Sequence, residues 1–433
     1  MTQKKQNGNI VAIIMMIALF GMIGFVTNLA APAGTIWKNQ YEGSNFLGML
    51  GNLMNFAAYL VMGIPAGKLL TRLGYKKTSL FAIVIGFAGI GIQFFSGFAT
   101  GDLGFAVYLS GAFVAGICVC MLNTVVNPML NEIGGGGKKG GALLQTGGAC
   151  NSLLGTLAPI LVGALIGEVT KQTAFSDVNP VLFIAMGIFA VVGIVLYFVN
   201  IPEPAIDKTT VDKTSPYSAW SFRHFVLGAI GIFIYVGVEV GIPGTMKFFL
   251  ETADFSFLAG KISPAAAGTV AGTYWFLMLI GRLAGAGIAR KVSSKVLLTF
   301  TSSVAIVLVL AAIVTPTSIP VSMPVFTGDA FVWQQVPVNA LFIVLVGLCT
   351  SVMWGGIFNL AVEGLGKYVT TASGIFMMMV VGGGILPLLQ NGIVDITGDN
   401  YMISYLLPLA GLVYLLFYAL AGSKNVNKNI PVE

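Results

Sequence analysis

Apolar stretches, each about the length of a membrane-spanning helix, alternate with short polar connections along nearly the whole chain. A helix needs about 20 apolar residues to cross the hydrocarbon core of a bilayer. Strand-like alternation of apolar and polar positions nowhere rivals the helical pattern, so an all-α integral membrane protein is expected. The pattern predicts twelve transmembrane helices, at residues 10–34, 46–66, 78–98, 104–130, 141–166, 179–200, 224–249, 265–288, 296–315, 337–360, 372–390 and 402–421.

The composition agrees with this pattern and excludes a soluble globular protein. Of the 433 residues, 56% are hydrophobic and only 9% are charged, whereas soluble domains carry about 25% charged residues. The 56 glycines are typical of helices that pack closely in a membrane. The four cysteines all lie in apolar stretches, without a disulfide framework or a metal-ligand spacing. They are therefore interpreted as packing thiols, and no bound metal is expected.

The basic residues predict how the helices are oriented. If the N-terminus is cytoplasmic, most of the 22 lysines and arginines fall in connections on the cytoplasmic side. Because cytoplasmic loops carry an excess of Lys and Arg, both termini are expected in the cytoplasm. The net charge of +6 is thereby explained, and no nucleic-acid partner is expected.

The chain divides near its middle into two parts of similar length. Residues 201–222 are the longest polar connection between spans, and they are expected to form a cytoplasmic linker. This linker would join an N-terminal six-helix half, residues 1–200, to a C-terminal half with a short tail, residues 223–433. An internal repeat supports the division, because residues 63–80 align without gaps on residues 281–298.

The first copy of this repeat resembles a loop motif of the major facilitator superfamily, Gly-x-Leu-x-Asp-Arg-x-Gly-Arg-Lys. The chain reads GKLLTRLGYK, with Thr71 where the family has an acid. Such transporters consist of two parallel six-helix repeats related about the membrane normal. The resemblance implies this fold, and a role in conformational change for the loop residues Gly67, Arg72, Gly74, Lys76, Arg282 and Arg290.

Further blocks resemble one branch, the fucose:proton symporter family with its glucose/galactose-type members. The resemblance implies a monosaccharide importer of the bacterial inner membrane that takes a hexose such as glucose or galactose. Such importers are usually driven by protons and use no cofactor. The blocks are SNFLGMLGNLMNFAAYLVMGIPAG (44–67), LNTVVNPML (122–130), FIYVGVEVGIPG (233–244), TYWFLMLIGRLAG (273–285), SVMWGGIFNLAVEGLGKY (351–368) and VVGGGILP (380–387).

Two departures from the fucose-type pattern leave the coupling ion open. The helix-one and helix-four acids that serve proton coupling and sugar binding there align on Ala31 and Asn123, which cannot ionise. The glucose-type members are closer, because they share the helix-seven block with its glutamate. Sodium-coupled transport and uncoupled, facilitative transport therefore remain alternatives to proton symport.

Amides and aromatic rings within the spans suit a sugar site. Sugar hydroxyls both donate and accept hydrogen bonds, as amides do, and aromatic rings can cover the apolar face of a sugar ring. The alternatives are helix–helix hydrogen bonds for the amides and ordinary packing for the rings. Together with Glu239, the candidate substrate-binding residues are Asn28, Asn55, Tyr59, Asn123, Asn151, Tyr274, Trp275 and Trp354.

Glu239 is the one acid well inside a predicted span, and it is the candidate for proton coupling. Ionisable residues within membrane spans are expensive to bury and usually lie on a transport pathway. Two alternatives are a permanently protonated glutamate bonded to a neighbouring helix and an ion pair with Lys247.

Three residues at span ends are expected at the membrane surface instead. They are His224, Trp37 and Trp333.

Other classes of function find little support. A nucleotide-binding loop, a metal cluster and a catalytic domain are all missing from the sequence, so an enzyme is not expected. The tail is too short for the cytoplasmic domain of a sugar sensor. Transport of an amino or acidic sugar, and drug export, remain less favoured alternatives. The expected partners are the sugar and membrane lipids, and the expected state is a monomer.

Overall fold

The apolar stretches form helices throughout the described part of the chain. The computed structural model describes residues 2–99, 101–133, 137–167, 169–170, 172–201, 203, 217–258, 261–288, 292–327, 330–427 and 429–432. The first part of the chain, here called the N-terminal half, contains α1 (Thr2–Gln40), α2 (Asn45–Gly48), α3 (Leu50–Ser96), α4 (Gly101–Ile133), α5 (Gly137–Ile166) and α6 (Asn179–Phe198).

The second part, here called the C-terminal half, contains helices and a pair of strands. The helices are α7 (Arg223–Thr252), α8 (Pro264–Ile288), α9 (Ser294–Val314), α10 (Val338–Thr350), α11 (Met353–Val362), α12 (Val369–Met379), α13 (Gly382–Ile396), α14 (Tyr401–Ser404) and α15 (Leu406–Phe417). The strands are β1 (Pro320–Phe326) and β2 (Phe331–Pro337). Short 3-10 turns occupy Phe175–Val178, Ala219–Ser221 and Gly366–Tyr368, and a π turn occupies Tyr418–Gly422.

The helix α3 accounts for two of the predicted spans. Its 47 residues correspond to about 70 Å at 1.5 Å per residue, more than twice the hydrocarbon thickness of a bilayer. Gly74 interrupts it with a non-helical backbone at φ 81° and ψ 176°. Among the described residues, eleven helical segments are long and apolar enough to cross a membrane, and counting α3 twice gives the twelve predicted crossings.

Several spans consist of two helices separated by a short break. The segment Val338–Val362 combines α10 and α11, with the break at Ser351 and Val352. The segment Thr371–Ile396 combines α12 and α13, with the break at Val380 and Val381. The residues at both breaks keep right-handed helical backbone angles, so each break is a bend in the span and not an unwound segment.

A β-hairpin between α9 and α10 departs from the all-helical prediction. β1 and β2 pair antiparallel, with Val321 opposite Val336. Phe326 at the end of β1 stacks on Phe276 of α8 at a centroid distance of 4.6 Å. The sequence signal was weak because both strands are short and contain prolines. Trp333 of β2 is 74% exposed.

The other two residues predicted at the membrane surface are buried instead. Trp37 is only 2% exposed and stacks on Phe175 at a centroid distance of 5.4 Å. His224 is fully buried, and its Nε2 lies 2.9 Å from the carbonyl oxygen of Glu363. Both expectations were wrong, because packing by residues distant in sequence covers these side chains.

The predicted linker lies largely outside the described residues, which omit 204–216. On either side of it, α6 ends at Phe198 and α7 begins at Arg223. The two copies of the internal repeat each contain a helix break, at Gly74 in the first and between Ile288 and Ser294 in the second. Arg290, a predicted loop residue, lies outside the described residues.

Candidate substrate cavity

A cavity of about 160 Å³ lies between the helices of the two halves. The N-terminal half contributes α1, α3, α4 and α5, and the C-terminal half contributes α7, α8, α11 and α12. The helix breaks at Ser351 and Val380 both border it. Seven of the predicted substrate-binding residues line the cavity: Asn28, Tyr59, Asn123, Asn151, Glu239, Trp275 and Trp354.

The amides are held in place by bonds within the N-terminal half. Asn123 donates to the Tyr59 hydroxyl at 2.7 Å, which connects α4 to α3. Asn28 donates to the carbonyl of Gly24 at 2.8 Å. Each of these bonds uses one N–H of an amide that has two donors and an acceptor oxygen. Hydrogen-bonding capacity therefore remains for a ligand in the cavity.

Asn151 is fixed by an unusually close approach of α5 to α1. Its side chain donates to the carbonyl of Phe20 at 3.0 Å. A Cβ atom at Gly24 would lie only 2.1 Å from the Asn151 carbonyl oxygen, so only glycine fits there. Small residues of this kind let membrane helices approach closely.

Two further amides, Asn127 and Gln145, also line the cavity. Asn127, which precedes Pro128, donates to the carbonyl of Asn123 at 2.7 Å. The cavity therefore has more amides than the candidate residues alone.

Asn55 and Tyr274 do not line this cavity. Asn55 is 4% exposed, and Tyr274 is fully buried with its hydroxyl 2.9 Å from Thr350 Oγ1. The Tyr274 ring meets Trp275 edge to face at a centroid distance of 5.6 Å. Tyr274 therefore packs behind Trp275 and does not reach the cavity. The indole rings of Trp275 and Trp354 form part of the cavity wall.

Glu239 of α7 forms an ion pair with Arg282 of α8. The Arg282 Nη2 atom lies 3.1 Å from Glu239 Oε1, and the two side chains are only 13% and 11% exposed. A charge buried in a membrane protein is stabilised by such pairing. The predicted alternative of an ion pair with Lys247 was wrong, because Lys247 pairs with Glu251 at 2.6 Å.

Arg282 also contacts the opposite half of the protein. Its Nη1 atom donates to the carbonyl of Gly148 at 2.7 Å and to Ser152 Oγ at 2.9 Å, both on α5. The sequence assigned Arg282 a loop role because it belongs to the second copy of the internal repeat, residues 281–298. Its side chain instead lines the cavity. The missed signal was a cation six positions inside the predicted end of span 265–288.

A smaller cavity continues from the first toward the end of the bundle where α1 and α7 finish. It holds about 60 Å³, and Asn28 and Trp275 line both cavities. Lys247 and Phe248 lie at its far side. The path from the central cavity toward that end is therefore narrow.

A cluster of polar contacts between the halves closes this end. We call it the end cluster; its members are Lys38, Asn45, Lys247, Glu251, Asp395 and Tyr401. Lys38 of α1 donates to Thr252 Oγ1 at 2.7 Å and lies 4.5 Å from the centroid of the Phe248 ring. Lys247 of α7 donates to Thr35 of α1. Tyr401 donates to Asn45 Oδ1 at 2.9 Å.

The predicted loop motif is completed by an acid from elsewhere in the chain. Glu203 accepts hydrogen bonds from the backbone N–H groups of Tyr75 at 2.6 Å and Lys76 at 3.0 Å. Lys76 Nζ donates to the carbonyl of Tyr197 at 2.8 Å. A carboxylate thus reaches this loop although Thr71 replaces the acid of the family motif. Arg72 and Gly67 lie on the helix before the Gly74 break.

The chain matches the model of the Major Facilitator Superfamily over residues 12–388. It is 31% identical over 419 residues to the glucose/galactose transporter of Brucella abortus biovar 1 (strain 9-941), covering 96% of this chain and 94% of the relative. It is 22% identical to the L-fucose-proton symporter of Escherichia coli (strain K12), covering 95% of this chain and 91% of the relative.

The fold is similar to a solved structure of an E. coli fucose:proton symporter. The TM-score is 0.69 at 17% sequence identity, and the match covers 95% of this chain and 98% of the other. At this identity the likeness concerns the fold alone.

Proposed function

Because the chain belongs to the major facilitator superfamily, we propose that it imports a hexose such as glucose or galactose with a proton by alternating access. This family consists of transporters, which confirms the prediction that the protein is not an enzyme. The protein has many membrane spans, and the proposed location is a bacterial inner membrane with both termini cytoplasmic. The proposal includes two six-helix halves joined at 201–222, and a monomer surrounded by lipid.

The observation that carries the proposal is the composition of the central cavity. Amides from α1, α4 and α5 line it together with two indole rings from α8 and α11. Amides suit the hydroxyls of a sugar, and aromatic rings suit its apolar face. A lipophilic drug offers few hydrogen-bonding groups, so a cavity lined by four asparagines suits it less well. The names of the relatives, a glucose/galactose transporter and an L-fucose-proton symporter, point to the same class of substrate.

Glu239 is the proposed proton-binding group. It lies in the cavity with Arg282, within the middle of α7, and the positions of the fucose-type acids hold Ala31 and Asn123. Arg282 already neutralises this carboxylate, so a sodium site there has little support.

Uptake into proteoliposomes tests the proposal. An inward proton gradient should drive accumulation of radiolabelled glucose or galactose above equilibrium, and the sugar should alkalinise the outside. Glu239→Gln should abolish accumulation while sugar exchange remains. Unchanged accumulation in this variant would exclude Glu239 as the coupling group. Accumulation that requires sodium, or uptake that only equilibrates, would favour the alternatives.

A further inference from the structure

Arg282 is placed to serve both the proton site and the sugar site. Its Nη2 atom contacts Glu239 at 3.1 Å, and its Nη1 atom contacts Gly148 and Ser152 on the opposite half. A guanidinium donates through several N–H groups in a fixed plane and accepts none. Its donors must therefore find oxygen acceptors, and in the cavity these are Glu239, the α5 groups or a ligand.

The two α5 contacts determine what happens when Glu239 takes up a proton. The ion pair then loses its charge attraction, but Gly148 and Ser152 still accept from Nη1. The guanidinium therefore stays in the cavity wall, and its Nη2 group, which carries two N–H donors, is held less tightly by the neutral carboxyl and can turn toward another acceptor. An oxygen of a bound sugar is an acceptor of the right kind, because a charge-assisted hydrogen bond is stronger than a neutral one.

We propose that Arg282 couples the two binding events, because the deprotonated Glu239 carboxylate and a sugar oxygen compete for its Nη2 donor. This inference rests on the proposed function, sugar transport with Glu239 as the proton-binding group. Protonation of Glu239 then strengthens sugar binding. By reciprocity of linked equilibria, bound sugar strengthens proton binding at Glu239 by the same factor.

The other groups around Glu239 do not provide this link. Tyr235, one turn earlier on α7, donates to the carbonyl of Thr350 at 3.1 Å, and its hydroxyl also lies within hydrogen-bond reach of Glu239, but it carries no positive charge to pair with the carboxylate. The hydroxyl of Tyr274 on α8 lies 2.9 Å from Thr350 Oγ1. From the facing helices, the described cavity-lining residues of α5 and α11 include Gln145 and Trp354, which do not ionise. Arg282 is thus the charged partner of Glu239 in the described part of the cavity.

Binding of glucose and galactose to the purified full-length protein, measured by calorimetry at one acidic and one alkaline pH, tests the inference. The wild type should bind more tightly at acidic pH. Glu239→Gln should bind with the acidic affinity at both pH values. Arg282→Gln should bind weakly at both, by about tenfold to a hundredfold, the size of one charge-assisted hydrogen bond. Arg282→Lys should recover part of the pH dependence.

A matched control separates coupling from general damage to the cavity. Trp354→Phe alters the wall without touching the ion pair, so it should weaken binding equally at both pH values and keep their ratio. Ser152→Ala should reduce the ratio, because it removes one of the two contacts that hold Nη1. If Arg282→Gln does not fold, Ser152→Ala tests whether Arg282 couples proton binding to sugar binding.

Three results would overturn the inference. They are a wild-type pH ratio in Arg282→Gln, a wild-type ratio in Glu239→Gln, and an unchanged ratio in Ser152→Ala. A wild type that binds neither sugar at any pH would instead contradict the proposed function itself. The two failures are therefore distinguishable.

Discussion

The Asp395 carboxylate accepts a hydrogen bond from the side-chain amide of Asn45 at 2.7 Å and another from the Asn45 backbone N–H at 3.0 Å. It also accepts from the backbone N–H of Phe46 at 2.9 Å and from Ser44 Oγ at 3.0 Å. All four donors belong to the start of α2, while Asp395 lies near the end of α13. One carboxylate thus holds the two halves together at the end cluster.

Asp395→Asn should shift the protein toward a form that is open at this end. The amide keeps one acceptor but places an N–H₂ group against the donors of α2. The loss of charge-assisted bonds is worth about 1–3 kcal/mol, enough to change the balance of conformations severalfold or more. The check is the labelling rate of a cysteine at Met49, which is 6% exposed, by a membrane-impermeant maleimide in a Cys150→Ser background.

Asp254→Asn is the matched control for this experiment, because Asp254 is an exposed acid that follows α7 at the same end of the bundle. Its labelling rate should equal that of the parent. Equal rates in Asp395→Asn and in the parent would contradict the role assigned to the carboxylate.

Gly74→Ala should destabilise the protein markedly. Its backbone at φ 81° and ψ 176° favours glycine strongly, and a Cβ there would lie 2.6 Å from Glu203 Oε2. A residue in such a region costs about 1–3 kcal/mol. The midpoint of thermal unfolding of the detergent-solubilised protein measures the effect.

Gly67→Ala is the control for the same helix. A Cβ at Gly67 meets nothing within 4 Å, and alanine favours the helix over glycine by about 1 kcal/mol. This variant should be neutral or slightly stabilised. A loss as large as that of Gly74→Ala would show that the helix tolerates no change and that the backbone of Gly74 is not the cause.

The helices were predictable because the membrane imposes their length and hydropathy on the sequence. The helix-to-helix break at Gly74 could be placed only approximately, within the connection between two predicted spans. The hairpin of β1 and β2 was missed because it is short, contains prolines and packs on α8, a contact that no local pattern reveals.

The sequence predicted the residue types that line the cavity, but it did not predict the ion pair between Glu239 and Arg282. Amides, tryptophans and a buried acid are unusual enough within spans to be recognised individually. The partner of Glu239 is not, because Arg282 lies on another helix and the internal repeat assigned it to the loop. The same reason explains Tyr274, whose residue type suits a sugar site but whose side chain faces Thr350.

Gly24→Ala should disturb the proposed sugar site indirectly, by displacing the helix that carries Asn151. The added Cβ would lie 2.1 Å from the backbone oxygen of Asn151, so α1 and α5 must move apart. Overpacking of this kind costs about 1–3 kcal/mol and displaces the Asn151 side chain from Phe20. Thermal unfolding and glucose binding should both weaken.

Gly91→Ala provides the comparison, because a Cβ at Gly91 meets nothing within 4 Å. It should leave binding unchanged and, as for Gly67→Ala, stability unchanged or slightly raised. If Gly24→Ala behaves in the same way, the close approach of α1 to α5 does not position Asn151.

Trp275→Leu and Trp354→Leu should each weaken binding of glucose or galactose severalfold to about tenfold, because leucine removes the flat aromatic face from the cavity wall. Phenylalanine at the same positions should restore part of the affinity. Trp333→Phe, on the exposed hairpin, should have no effect. Quenching of tryptophan fluorescence by sugar gives the affinity, and in the double Leu variant this signal should disappear. A double variant that keeps both the signal and the wild-type affinity would exclude the two indoles as the sugar platform.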